Sequence, residues 1–271
     1  MENLKSLKEH LELFEKSRVK LFDNNREGLK DSVRERNTYA DAIACCFCEC
    51  ARIILAGYFE VTGIENKSVV RRVYPTAIEL YYHEEEGGFK DPIMYHTNYR
   101  KKTNHPDLPY FPIGSLNPHT SGIDITFENP GKHYRASFLI REYEVEYERS
   151  KDKITVKNST DIYDDLLLNG ITLDKADGIK WIPGKELGKD KIERRWRRNV
   201  ADYDNQGEKK KAEERDEESF SIGGKRYKKC PFDWQFRLKD TKNDFSSYKK
   251  GYLCERDHCD IHCRFKKKEK R

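Results

Sequence analysis

The sequence predicts an α+β fold, and three observations predict it. Leu4, Leu7, Leu11 and Phe14 recur at spacings of three and four, as on one face of a helix. From about residue 58 the pattern changes to short runs rich in β-branched and aromatic residues, punctuated by Gly, Pro and Asn. The end of the chain is charged and holds Cys230, Cys254, Cys259 and Cys263. The expected architecture is an antiparallel, β-rich central body with N-terminal helices and a charged, Cys-containing C-terminal extension. The expected units are a helical segment 1–57, a β-rich body 58–205, a charged insertion or linker 206–219 and a basic Cys/His segment 220–271.

The first helix is expected over residues 3–36. A second starts near Thr38, where Thr38 and Asp41 fit a capping box. Its apolar stripe runs through Tyr39, Ala42, Ile43, Cys46, Phe47, Cys50, Ile53 and Ile54, and Gly57 is its expected stop. Cys46 and Cys50 in CCFCEC then read as core thiols, since free Cys packs as a small hydrophobe. Strands are expected in YFEVTG, SVVRRVY, TAIELYY, GIDITF, YRASFLIREYEV and KITVK. The long stretch 87–121 reads as a functional loop, because structureless connections of that length are uncommon. YDDLLLNGI reads as a short helix or turn, and IERRWRRNV as a helix.

Of the 271 residues, 36% are hydrophobic and 37% charged, a balance that leans toward disorder unless the 16 Tyr and 13 Phe supply a core. No run approaches the roughly 18 apolar residues of a membrane span. The opening MENLKSLKEHLELFEK lacks an apolar h-region, so no secretory signal is expected there. Eight Cys without an export signal point to a reducing compartment. The expected location is cytoplasmic (nucleoid-associated) or nuclear, not secreted, with no membrane partner.

The net charge of +5 names no partner, but its distribution does more. RFKKKEKR ends the chain, and ERRWRRN sets Arg194, Arg195, Trp196 and Arg197 side by side. Basic groups beside an aromatic ring suit a nucleic-acid backbone, and a solvated charged face is the plain alternative.

Glu79 is the first candidate for chemistry. Alternation places Ala77, Glu79 and Tyr81 on one strand face, with Ile78, Leu80 and Tyr82 on the apolar one. Glu79 and Tyr81 are therefore expected to look toward a surface or cleft, where a carboxylate beside a ring can act as general base. Asp91, His96, His105 and His119 lie in or beside the long loop, without diagnostic metal spacing.

The order ARIILAGYFEV, VVRRVYPTAIELYYHEE, DPIMYH, YFPIGSLNPHTSGIDITF, ASFLIREYEV resembles the alkyladenine (3-methyladenine) DNA glycosylase family. The likeness spans residues 50–145. It implies a DNA glycosylase that flips and excises a damaged or modified base from duplex DNA. Glu79 would activate the water. Tyr81 would stack on the everted base, and His96 would close its other side. His119 and Asp124 would shape the pocket, Ser121 and Gly122 would lie near the duplex wedge, and Arg141 would support the backbone contact. No catalytic cofactor is implied. The sequence departs from the family in its longer spacing from Glu79 to His96 and in HTSG, which replaces an aromatic wedge. The rival expectations are a catalytically inactive nucleic-acid-binding protein, or an interaction subunit docking a protein partner through its N-terminal helices.

Cys230, Cys254, Cys259 and Cys263, with His258 and His262, have the residue types of a structural zinc site. An iron–sulfur cluster and free thiols are the alternatives.

Overall fold

The computed structural model describes residues 4–13, 33–63, 69–84, 91, 110–132, 134–148, 152–168, 178–195, 197, 219–222, 225–228, 234–239 and 250–251. It is an α+β structure built on a curled antiparallel sheet. Helix α1 (Val33–Cys46) and helix α2 (Cys48–Ala56) lie on one face of it. The strands are β1 (Tyr58–Thr62), β2 (Val69–Glu84), β3 (Leu116–His119), β4 (Gly122–Thr126), β5 (Tyr134–Tyr147) and β6 (Lys153–Val156). They continue with β7 (Ile179–Ile182), β8 (Ile192–Arg195), β9 (Ser219–Ile222), β10 (Lys225–Lys228), β11 (Gln235–Leu238) and β12 (Lys250–Gly251). The main sheet runs β12-β8-β11-β2-β5-β4-β3, with β1, β6 and β7 alongside; β9 and β10 pair separately.

The long strands β2 and β5 form the backbone of the sheet, and a pair of irregularities organises it. Register breaks where Thr76 is extra on β2 and Arg141 is extra on β5, between the pairs Pro75–Tyr143 and Ile78–Ile140. An extra residue reverses which side the following side chains take. Val73, Tyr143 and Val145 on one side of the break therefore share the apolar core with Ile78, Leu80, Tyr82, Phe138 and Ile140 on the other. The opposite side changes from Arg72 and Tyr74 to Ala77, Glu79 and Tyr81.

The core face is closed by the helices. Phe47, at the break between α1 and α2, meets Tyr82, Phe127 and Phe138 at centroid separations of 5.7, 5.8 and 6.1 Å. Cys48 and Cys50 are buried, whereas Cys45 and Cys46 are partly so. Gly57 caps α2 by donating its N–H to the Ile53 carbonyl at 3.1 Å. A side chain there would collide with the Trp181 ring, whose atoms lie 2.5 Å from an added Cβ.

Burial pushes the Cys48 thiol up to about 12, so almost no thiolate exists near neutrality. In the native protein at pH 8, iodoacetamide is expected to label Cys45 well before Cys48. Peptide mass mapping reads the order, and unfolding in denaturant should erase it.

Four expectations change. The single helix from Thr38 to Gly57 is two, beginning at Val33 and broken at Phe47. SVVRRVY and TAIELYY are one strand. The segment read as an IERRWRRNV helix enters the sheet as β8, because Glu193 and Arg195 take one face and Ile192 and Arg194 the other, which alternation suits. The body does not end at residue 205, since β11 lies between β2 and β8 inside the sheet. The Thr38–Asp41 cap is not at a helix start either, since both residues lie inside α1, which begins at Val33; most of 206–219 and the basic end fall outside the described residues.

Candidate functional site

The face opposite the helices carries a row of residues, polar except for Leu139, in register across six strands. Arg195 pairs with Gln235, Gln235 with Glu79, Glu79 with Leu139, Leu139 with Asp124, and Asp124 with Asn117. Paired residues in an antiparallel sheet project on the same side, so Glu79 and Asp124 share this face with only Leu139 between them. The bulge at Arg141 aims its guanidinium back along the strand onto Glu79. Bulges redirect single side chains in this way.

Glu79 is fully buried. Its Oε2 receives Arg141 Nε at 2.7 Å and the Tyr81 hydroxyl at 3.0 Å. Its Oε1 receives Gln235 Nε2 at 2.9 Å. Arg141 also donates Nη2 to the Tyr81 hydroxyl at 3.2 Å and Nη1 to Ser159 Oγ at 3.4 Å. Ser159 Oγ in turn donates to the Ser121 carbonyl at 2.7 Å, tying the cluster to the β3–β4 turn. Gly122 in that turn has φ +137°, and an added Cβ would sit 2.8 Å from the Ser159 carbonyl oxygen. Only glycine tolerates both the dihedral and the approach. Segment 157–168 reaches this turn through the Tyr163 hydroxyl, which donates to the Gly122 carbonyl at 2.9 Å.

Two further groups adjoin. Arg197 stands 4.9 Å from the centroid of the Tyr81 ring and 5.0 Å from that of Trp234. Its Nη1 is held by Asp91 Oδ2 at 2.6 Å. On the other side, His119 Nε2 lies 3.2 Å from Asp124 Oδ1, and Ser137 Oγ donates to Asp124 Oδ2 at 3.1 Å.

Glu79, Tyr81, Arg141, Asp124 and His119, singled out from sequence, thus fall on one face of the sheet. The expectation that Glu79 looks into an open cleft is corrected: its carboxylate is in a buried ion pair with Arg141. The ring of Tyr81 is half-buried, and Arg197 lies over it. The reading of Arg194, Arg195 and Arg197 as DNA contacts is also corrected. All three are buried, and they pair with Asp41, Glu193 and Asp91 respectively. A guanidinium enclosed beside a carboxylate cannot also face a phosphate backbone. Trp196, His96, Cys230, Cys254, Cys259, Cys263, His258 and His262 lie outside the described residues. Among the described residues, no group of three or more His, Cys, Asp or Glu is placed to hold a metal ion.

Sequence reading missed Gln235 and Ser159, which complete the shell of Glu79 and Arg141. It also missed Arg237, which bridges Glu142 at 3.3 Å and Glu193 at 3.9 Å in the neighbouring row. Nothing local marks these residues, because their partners are 18 to 156 positions away in the chain.

Burial dominates the titration of the tyrosines. Tyr81 is raised by desolvation and then by the Glu79 charge, and Tyr143 by desolvation and its hydrogen bond to Asp165. Tyr74 is pushed up to about 12 by the same pair of causes, with Glu146 as its partner. The unfolded chain ionises its tyrosines near 10 while these hydroxyls stay protonated. The unfolded state therefore binds fewer protons above that point, and stability falls as pH rises from about 10 toward 12. The expected result is a cooperative alkaline unfolding in that window, with tyrosinate absorbance appearing together with loss of structure.

No family model matches this chain. A search of curated proteins returns no match either. No helix among the described residues is long and apolar enough to cross a membrane.

Proposed function

We propose that the protein cleaves the N-glycosidic bond of a damaged or modified base in DNA, with Glu79 as the carboxylate of the reaction. One observation carries this reading. Residues that the family resemblance marks as water activator, stacking ring and supporting arginine are hydrogen-bonded to one another, and the last is aimed there by a bulge. Base hydrolysis requires an everted nucleotide and a fixed anion beside the anomeric carbon. Its transition state is oxocarbenium-like, so a carboxylate held in place by donors stabilises the developing charge without reorganising. Arg141, Tyr81 and Gln235 hold Glu79 in that manner. Its work is then to orient a water and to face the cationic sugar. The Tyr81 ring is where a base would stack in this reading.

A second reading is favoured by the burial of Glu79: the cluster stabilises the sheet, and the protein binds nucleic acid or a partner without catalysis. The two diverge in one experiment. Wild type and Glu79→Gln are incubated with duplexes carrying alkylated, deaminated or hypermodified bases, and abasic sites are scored. The glycosylase reading expects abasic sites with wild type and a loss of at least about a hundredfold in Glu79→Gln. It also expects DNA affinity to survive that substitution. Binding without abasic sites in either protein would favour the second reading.

A further inference from the structure

Beside the Glu79 cluster lies a carboxylate–imidazole pair that the glycosidic reading has so far used only as pocket wall. Asp124 is nearly sealed, its side chain 4% exposed, while the imidazole of His119 is 25% exposed. Asp124 Oδ1 and His119 Nε2 are both out of reach of solvent, and neither completes a hydrogen bond among the described residues. Each has the other as its nearest ion-pair partner, at 3.2 Å. The outward nitrogen, Nδ1, accepts the Ser121 N–H at 3.3 Å in the exposed turn. With Nδ1 accepting, the ring proton sits on Nε2, the nitrogen that lies 3.2 Å from Asp124 Oδ1. A carboxylate behind one imidazole nitrogen orients the ring and stabilises it when the other nitrogen takes a proton. Among the described residues, the groups around the pair include Ser137 on Asp124, the Tyr163 hydroxyl on the Gly122 carbonyl, Tyr81, whose hydroxyl is raised in part by the Asp124 charge, and Arg141 through Ser159 and Ser121.

We propose that His119 is the acid of the reaction and Asp124 its positioning residue. This rests on the N-glycosidic reading of the Glu79 cluster. As the C–N bond breaks, its electron pair moves onto the departing base nitrogen, which takes the proton from Nδ1 of the His119 imidazolium. Water oxygen forms the new bond to the sugar carbon and gives its proton to Glu79. Both groups then re-equilibrate with solvent. Protonation of Nδ1 breaks the weak bond from Ser121 and completes the ion pair with Asp124, which frees the nitrogen to turn toward a base. His119 stands on β3 and Glu79 on β2, on the same face of the sheet, with β5 and β4 between them.

The test uses wild type, His119→Gln and Asp124→Asn on duplexes carrying either a neutral modified base or a cationic N-alkylated one, from pH 5 to 9. A cationic base leaves without needing a proton. In wild type, release of the neutral base should fall as pH rises and the imidazolium is lost. His119→Gln should remove that alkaline limb and lower the ratio of neutral-base to cationic-base release by about 10²-fold or more. Asp124→Asn should lower neutral-base release while leaving cationic-base release near the wild-type rate. Matched thermal melts verify that the variants fold. Equal slowing of both bases in either variant, or an unchanged limb in His119→Gln, would overturn the role. Absence of release by wild type removes the N-glycosidic reading and this role with it. Release that ignores His119→Gln removes the role alone.

Discussion

Arg197→Met is expected to destabilise the protein by about 3–5 kcal/mol, because it strips a buried carboxylate of its cation. Asp91 is fully buried, and Arg197 grips both of its oxygens, at 2.6 and 3.4 Å. Arg197 also donates to the Leu80 carbonyl at 3.3 Å, so its loss leaves a second buried acceptor short of a donor. Methionine keeps much of the volume between Tyr81 and Trp234, which limits the cavity contribution. Urea unfolding measures the change. The double variant Arg197→Met with Asp91→Asn should recover part of the loss, since the orphaned charge is gone. A stability change under about 0.5 kcal/mol, as for an ordinary exposed side chain, would mean that Arg197 is free to meet a ligand instead.

The next largest effect is expected at Glu79, where two substitutions separate structure from chemistry. Glu79→Ala should cost about 3 kcal/mol, near the lower end for a broken buried pair, because the Arg141 side chain keeps 14% exposure. Glu79→Gln retains the shape and can still meet Gln235 and Tyr81 through amide flips and hydroxyl rotation, so its cost should be clearly smaller. Paired denaturant titrations give both values. Equal losses for the two variants would indicate that charge, and not the shape of the cluster, holds this part of the sheet together.

How much of this was legible in the sequence follows from the range of each signal. The alternation Ile78, Leu80, Tyr82 against Ala77, Glu79, Tyr81 is local, and it placed Glu79 away from the apolar core correctly. What covers the polar face is not local. Gln235 and Arg141 reach Glu79, and Ser159 reaches Arg141, only after distant parts of the chain come together, so the burial of Glu79 could not be read. Thr76 and Arg141 are extra residues in a ladder, visible only once register is known; without them the two halves of β2 looked like separate strands flanking Pro75. ERRWRRN misled in another way. A dense basic run reads as solvated, yet Arg194 and Arg195 alternate across a strand and find Asp41 and Glu193 on opposite faces. Charge density in sequence reports composition, whereas exposure is decided by where the matching acids lie. The helical stripe through Ala42, Ile43, Phe47, Cys50 and Ile54 is legible because all five are buried at helical spacing.

The central claim is that the Glu79 cluster is built to break a base–sugar bond. Its most direct measurement is the yield of abasic sites from lesion-bearing duplexes under single-turnover conditions, with Glu79→Gln alongside. The account predicts abasic sites from wild type on at least one lesion class and at least about a hundredfold fewer from a well-folded Glu79→Gln. Equal yields from the two proteins, or none from a wild type that binds the same duplexes, would contradict it.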